Sequence, residues 1–160
     1  MRFRPFLSED ADALWDVLRP AIQAGETLAL PRDMNKEMAV AYWAAPERHC
    51  FLAERDGKVL GSFYIRPNQQ GGGSHVANAG YVTHPDARGQ GIARQMCLRS
   101  LDVAAELGFK AMQFNFVVSS NVAAMNLWQR CGFEIVGRLP DAFDHPRLGY
   151  VDAVVMVRKL

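Results

Sequence analysis

Apolar and polar positions change period several times along the chain, and those changes divide it into elements. Arg2-Phe3-Arg4-Pro5-Phe6-Leu7 alternates charge with bulk, the period-two pattern of a half-buried strand. Ser8 follows, then Glu9 and Asp10, which suit the capped, positive first turn of a helix. Leu14, Trp15, Leu18 and Ile22 recur at helical spacing, and Gly25 stands where that helix should stop. Glu26–Asp33 is an irregular connection of the kind that can border a ligand. Met38, Tyr42 and the intervening alanines predict a short second helix that ends before Pro46. His49–Arg55 and Lys58–Arg66 read as strands joined at Asp56-Gly57, a dipeptide suited to a tight hairpin. A polar, Gly-rich break at Gln69–Gly73 precedes a further strand, Ser74–Thr83. The pattern then turns helical over Gly89–Leu107, returns to strand over Lys110–Val118 and to helix over Asn121–Arg130. Two last strands, Phe133–Leu139 and Leu148–Val157, flank a loop at Pro140–Pro146. The sum is a mixed α/β (α+β) sheet of about seven strands and four helices, expected as a single domain over residues 1–160.

Composition narrows the function classes. With 49% hydrophobic and 22% charged residues, the chain has enough apolar surface for a sizeable core and little of the polar excess that keeps chains disordered. A formal net charge of +1 offers no field for gathering a polyanion, so nucleic acid is not an expected partner. The three cysteines, at 50, 97 and 131, are odd in number and far apart, which signals neither a disulfide framework nor a zinc site. Apolar runs fall far short of the ~18 residues that suggest a membrane span, and Met1–Asp10 has no signal-peptide core. A soluble protein in the reducing cytoplasm, with no membrane partner, is the expectation.

Chemistry enters at Val82-Thr83-His84-Pro85-Asp86-Ala87-Arg88-Gly89-Gln90-Gly91-Ile92-Ala93, a strand, a turn and a helix opening. Backbone N–H groups at a helix start lack intrahelical partners, and Gly89 and Gly91 remove side chains that would hold a pyrophosphate away. Arg88 adds a charge-assisted donor. A Gly-rich turn that merely links two elements fits the glycines equally well. A dinucleotide site would want a third glycine at Arg94, and a nucleotide P-loop would want Gly-Lys-Ser/Thr; neither is present. What remains is Arg-x-x-Gly-x-Ala framed by Val82, Pro85 and Ile92. Together with Asn121-x-x-Ala124-x-x-Leu127-Trp128-x-x-x-Gly132-Phe133, it resembles the GNAT family of acetyl-CoA-dependent N-acetyltransferases.

The order of elements is similar to that family's fold through most of the chain, with a largely antiparallel central sheet. The resemblance implies that Arg88, Gly89, Gln90, Gly91, Ile92 and Ala93 present backbone donors to the pyrophosphate of acetyl-CoA as cosubstrate. It implies that Val82 pairs with the pantetheine and polarises the thioester carbonyl, and that Asn121, Ala124 and Trp128 line the pantetheine wall. Many relatives carry Tyr where Trp128 stands, as acid for the departing thiolate. Indole donates a hydrogen bond but does not titrate near neutrality, so water has to protonate the thiolate, or Trp128 is simple packing.

On the acceptor side, Asn78 and Asn115 interrupt strand-like runs, where a buried amide either pairs with backbone at a splay or recognises a ligand. Asn78, Asn115 and Asn121, spaced by thirty-seven and six, with Gly25-Glu26-Thr27 and Phe114-Asn115-Phe116, resemble the fungal proline-analogue acetyltransferase branch, which acetylates azetidine-2-carboxylate and related imino acids. The resemblance implies that Asn78 holds the acceptor near the thioester; the Asn115 amide, uncharged and with donors and an acceptor, could help orient it, and Glu26 is a loop carboxylate that could relay a proton or simply be solvated. His49, His75, His84 and His145 show no metal spacing, so no metal is expected. The reading is transfer of acetyl to the amine of a small molecule, an amino or cyclic imino acid, by direct attack in a ternary complex. A non-catalytic acyl-CoA sensor and a protein N-terminal acetyltransferase are the rivals. A homodimer is compatible with the resemblance, but no residue marks an interface.

Overall fold

The computed structural model describes all of residues 1–160. The chain runs β1 (Arg2–Pro5), α1 (Ala11–Ala24), α2 (Lys36–Trp43), β2 (His49–Arg55), β3 (Lys58–Pro67) and β4 (Val76–Thr83). It continues through α3 (Ile92–Glu106), β5 (Ala111–Val118), α4 (Val122–Arg130), β6 (Glu134–His145) and β7 (Gly149–Lys159). The strands form one seven-stranded sheet in the order β1-β2-β3-β4-β5-β7-β6. Only β4 and β5 are parallel, so the sheet is largely antiparallel.

Strand alternation divides the core between two faces. Leu52, Tyr64 and Val82 meet Leu14, Val17, Leu18 and Ile22 of α1 and Ala39 and Trp43 of α2. The intervening Ala53, Phe63, Ile65 and Ala77 meet Ile92, Met96, Cys97 and Leu101 of α3. α1 ends as expected: Gly25, at φ 63°, donates its N–H to the Ala21 carbonyl.

Two local expectations are corrected, and the second helix forms as expected on a buried pair of its own. Ser8 caps nothing; the Leu7 N–H donates to Asp10 Oδ2 at 2.8 Å, and Arg4 ties that same carboxylate to Glu54 on β2. On α2 the buried pair is Ala39 and Trp43, whereas Met38 and Tyr42 are exposed, because Trp43 anchors the helix by donating to Ser62 Oγ at 2.9 Å. The Pro140–Pro146 stretch is strand up to His145. β6 crosses a bulge between Leu139 and Phe143, where Asp141 (φ 50°) donates its N–H to Asp152 Oδ1 at 2.9 Å. Proline without an N–H is tolerated at such a bulge on an edge strand.

Candidate active site

β4 and β5 lie side by side only at Val76–Ala111 and Ala77–Met112. Beyond those pairs they part, and main-chain groups on the facing edge of β4 lose their ladder partners. Register decides which groups these are. His75 accepts from the Lys110 N–H on the β5 side, whereas Val76 accepts from Asn68 and His84 donates to Leu60 on the β3 side, each at 2.8 Å. Main-chain groups alternate sides along a strand, so Ala79, Tyr81 and Thr83 face the gap, and Val82, opposite Ser62, faces β3. This corrects the expectation for Val82. Its N–H and C=O belong to the β3 ladder, and its side chain is buried beneath α1 and α2.

A cavity of about 280 Å³ occupies the gap, at the small end for ligand sites, and Asn78, Asn115, Asn121, Ala124 and Trp128 all line it. Asn78 spans the splay. Its Nδ2 donates to the Gln113 carbonyl on β5 at 3.0 Å, and its Oδ1 accepts from Arg66 Nε at 3.2 Å. Asn115 Oδ1 accepts from Gln113 Nε2 at 3.0 Å, and its Nδ2 donates to Asn68 Oδ1 at 2.7 Å. Both amides therefore serve the sheet as well as the cavity wall. Asn121 caps α4, its Oδ1 accepting from the Ala124 N–H at 3.3 Å. Trp128 packs against Tyr81 and Phe114, with ring centroids 4.8 and 5.2 Å away, and its indole N–H has no protein acceptor. The Tyr81 hydroxyl lies 2.6 Å from Ser100 Oγ, and burial raises its pKa well above the phenol range. Tyr81 is therefore a poor replacement for the acid that Trp128 lacks.

At the open end, the turn after β4 leads into α3 through Gly89 (φ 75°) and Gly91 (φ 74°). Asn35 and Asn121 cap α2 and α4, but α3 starts at Gly91 without a side-chain cap. Its first intrahelical bond runs from the Gln95 N–H to the Gly91 carbonyl, which leaves the N–H groups of Ile92, Ala93 and Arg94 free. A Cβ built at Gly89 or Gly91 meets no protein atom within 4 Å, so backbone conformation, not crowding, demands glycine here. Arg88 is exposed and unpaired, and Gln90 is occupied, donating to the Asp86 carbonyl and accepting from Arg55. Ile92 puts its side chain in the core and Ala93 is half-buried, so these two can offer a ligand only backbone donors. Free N–H groups at a helix start beside a guanidinium suit a phosphate.

Glu26 is the second correction. It accepts from Arg147 Nε at 3.0 Å, joining the α1–α2 connection to the β6–β7 turn, and the hydrogen bond from Arg147 holds its carboxyl below the usual range. It does not line the cavity; Thr27, Leu28, Ala29 and Leu30 do. Sequence reasoning also missed Tyr42, Tyr64 and Arg66, all on the wall. Tyr64 lies flat over Gly80, where a Cβ would come within 2.5 Å of its ring. No group of three or more His, Cys, Asp or Glu side chains is placed to hold a metal, and all three cysteines are free and buried.

A model of the acetyltransferase (GNAT) family matches residues 12–133. The chain belongs to the GNAT family. It is 40% identical over 101 residues to N-acetyltransferase aca1 of Schizosaccharomyces pombe, a stretch that covers 61% of this chain and 47% of that protein. The match thus spans about half the length of the fungal relative. The solved structure of a GCN5-related N-acetyltransferase from Kribbella flavida is 39% identical with a TM-score of 0.92, covering 99% of this chain and 97% of that one. A GNAT superfamily phosphinothricin acetyltransferase from Sinorhizobium meliloti, solved in complex with AcCoA, has a TM-score of 0.86 at 19% identity, over 99% of this chain and 88% of that one, a likeness of fold alone.

Proposed function

We propose that this GNAT protein is an acetyl-CoA-dependent N-acetyltransferase that acts, by direct attack in a ternary complex, on the amine of a small amino or cyclic imino acid. The parting of β4 from β5 after Ala77 and Met112 carries this reading, since it opens an unpaired strand edge into a cavity beside a glycine-hinged helix start. The residues present fit the cosubstrate. Free N–H groups at Gly89 to Ala93, with Arg88, would hold its pyrophosphate, while the gap-facing main chain of Tyr81 and Thr83, rather than Val82, would pair with the pantetheine and the thioester carbonyl. Asn121, Ala124 and Trp128 would form the opposite wall. Bound acetyl-CoA supplies an activated acyl carbon and a thiolate leaving group. Asn78 and Asn115 would hold the acceptor without adding a negative charge that favours its unreactive ammonium form. With no carboxylate or imidazole on the wall, the amine proton passes to water. The 40% identity to a fungal N-acetyltransferase accords with the fungal-branch resemblance at Asn78 and Asn115.

Thiol release from acetyl-CoA with a panel of amino acids, cyclic imino acids, polyamines, aminoglycosides and peptides tests the proposal. Turnover concentrated on small amino or imino acids is expected. Tight acetyl-CoA binding without thiol release for any acceptor would instead describe an acyl-CoA sensor, and preference for peptides would describe a protein acetyltransferase.

A further inference from the structure

We propose that Arg66 anchors the carboxylate of the acceptor, so that the cleft selects amines bearing an adjacent acid group. The inference rests on the reading above and deepens it by fixing the charge of the substrate. Arg66 is the one charged residue on a wall otherwise made of apolar side chains, amides, phenols and a hydroxyl. Its Nε donates to Asn78 Oδ1 at 3.2 Å, and its remaining guanidinium donors meet no protein acceptor. Arg4, similarly half-buried, is bonded to both Asp10 and Glu54, whereas Arg66 pairs with no carboxylate. Asn78 is held in turn by the Gln113 carbonyl across the splay, so it acts as a positioning residue for the guanidinium. A guanidinium fixed at Nε presents its outer edge as a fork, which matches the two oxygens of a carboxylate.

A second guanidinium strengthens the case. Arg48 has only 6% of its side chain exposed, and its carbon Cζ lies 4.1 and 4.2 Å from the ring centres of Tyr42 and Tyr64, which line the cavity. Its Nε and Nη1 are buried without a hydrogen-bond partner, and its nearest carboxylate, on Glu47, stands 3.9 Å away and is 63% exposed. Two aromatic faces only partly offset the cost of such a buried charge. Burial pushes the Tyr64 phenol up to about 12, and among the weaker influences both Arg48 and Arg66 favour its ionised form, which places both charges close to this wall. An anionic group in the cavity would pair with Arg66 directly and lie on the far side of Tyr42 and Tyr64 from Arg48. Polyamines and aminoglycosides would meet the same charges as repulsion.

Calorimetry with azetidine-2-carboxylate and its carboxamide, in the presence of saturating CoA, separates charge recognition from turnover. The acid should bind at least about tenfold tighter than the amide, and Arg66→Gln should weaken the acid by about ten- to a hundredfold while leaving the amide and CoA unchanged. Arg66→Lys should restore part of the preference, and if Arg66→Gln misfolds, Arg66→Met removes the charge at similar length and should abolish the preference in its place. Equal affinity for acid and amide, no binding of the acid, or a preference that survives Arg66→Gln would overturn the anchor. Acid bound with the expected preference but never acetylated would leave the anchor standing and remove only the transferase reading.

Discussion

At the scale of single residues, Trp128 separates shape from acid chemistry. The indole fills the space between Tyr81 and Phe114 and offers an unpaired N–H, but it has no proton to lose near neutrality. Trp128→Phe should therefore keep more than about a tenth of the turnover, since the ring contacts survive. Trp128→Ala should lose turnover further and cost about 3–5 kcal/mol of stability through the cavity it leaves. Steady-state kinetics with paired urea denaturation would check both. A Phe variant as inactive as the Ala variant would mean that the indole N–H itself takes part. The same scale shows how one side chain can hold two duties: Asn78 and Asn115 satisfy the sheet where its strands diverge, and that use of their amides places them on the wall.

At the scale of elements, Arg4, Asp10 and Glu54 join β1, β2 and the start of α1. Hydrogen bonds from Arg4 hold the Asp10 carboxyl below its ordinary 3.8, burial opposes them, and the Leu7 N–H adds to the depression. A carboxyl whose folded pKa is depressed contributes stability above its unfolded pKa and loses it as pH falls through the folded value. Asp10→Asn should accordingly cost about 1–3 kcal/mol at neutral pH, with the gap to wild type narrowing below about pH 4. Chemical denaturation at pH 7 and pH 3 would measure it, and a pH-independent gap would assign the loss to packing. Much of this level was legible beforehand. Gly25 stops α1, Asp56-Gly57 makes the hairpin, and every helix and strand falls near its expected position. The exceptions share a cause, because tertiary partners overrode local pattern. Trp43 reaching Ser62 rotated α2, and Asp152 reaching the Asp141 N–H kept Pro140–His145 in the sheet. The candidate site could be read from sequence where it is contiguous, in Arg88 to Ala93 and the start of α4. Period-two alternation does not say which neighbouring strand a residue's N–H faces, so the pattern could not check the Val82 role that the resemblance implied, and the ladder turns Tyr81 and Thr83 to the gap instead. Arg66 stayed hidden because only cross-strand register brings it to Asn78.

For the whole molecule, the two cores and the splayed sheet enclose a cavity whose wall carries no carboxylate, imidazole, ammonium or thiol. No Asp, Glu, His, Lys or Cys lines the cavity. Burial pushes Tyr64 up to about 12 and Tyr81 well above the phenol range, which makes these two poor proton donors. Glu26 is turned outward to Arg147, and His145 is buried with its Nδ1 accepting from the Arg147 and Leu148 N–H groups at 3.2 Å. On the proposed reading, the reactive species is the neutral amine, formed by loss of a proton to water, and its fraction is set by the acceptor's own pKa. For each acceptor, log kcat/KM should rise by about one per pH unit and level off near the pKa of that free amine. Two acceptors whose amines differ in pKa should show plateaus displaced by the same difference, while acetyl-CoA affinity stays flat over the range. Measuring kcat/KM from pH 6 to 10 for two imino acids of different basicity decides the matter. A common inflection for both, independent of the acceptor's own pKa, would instead reveal a protein base.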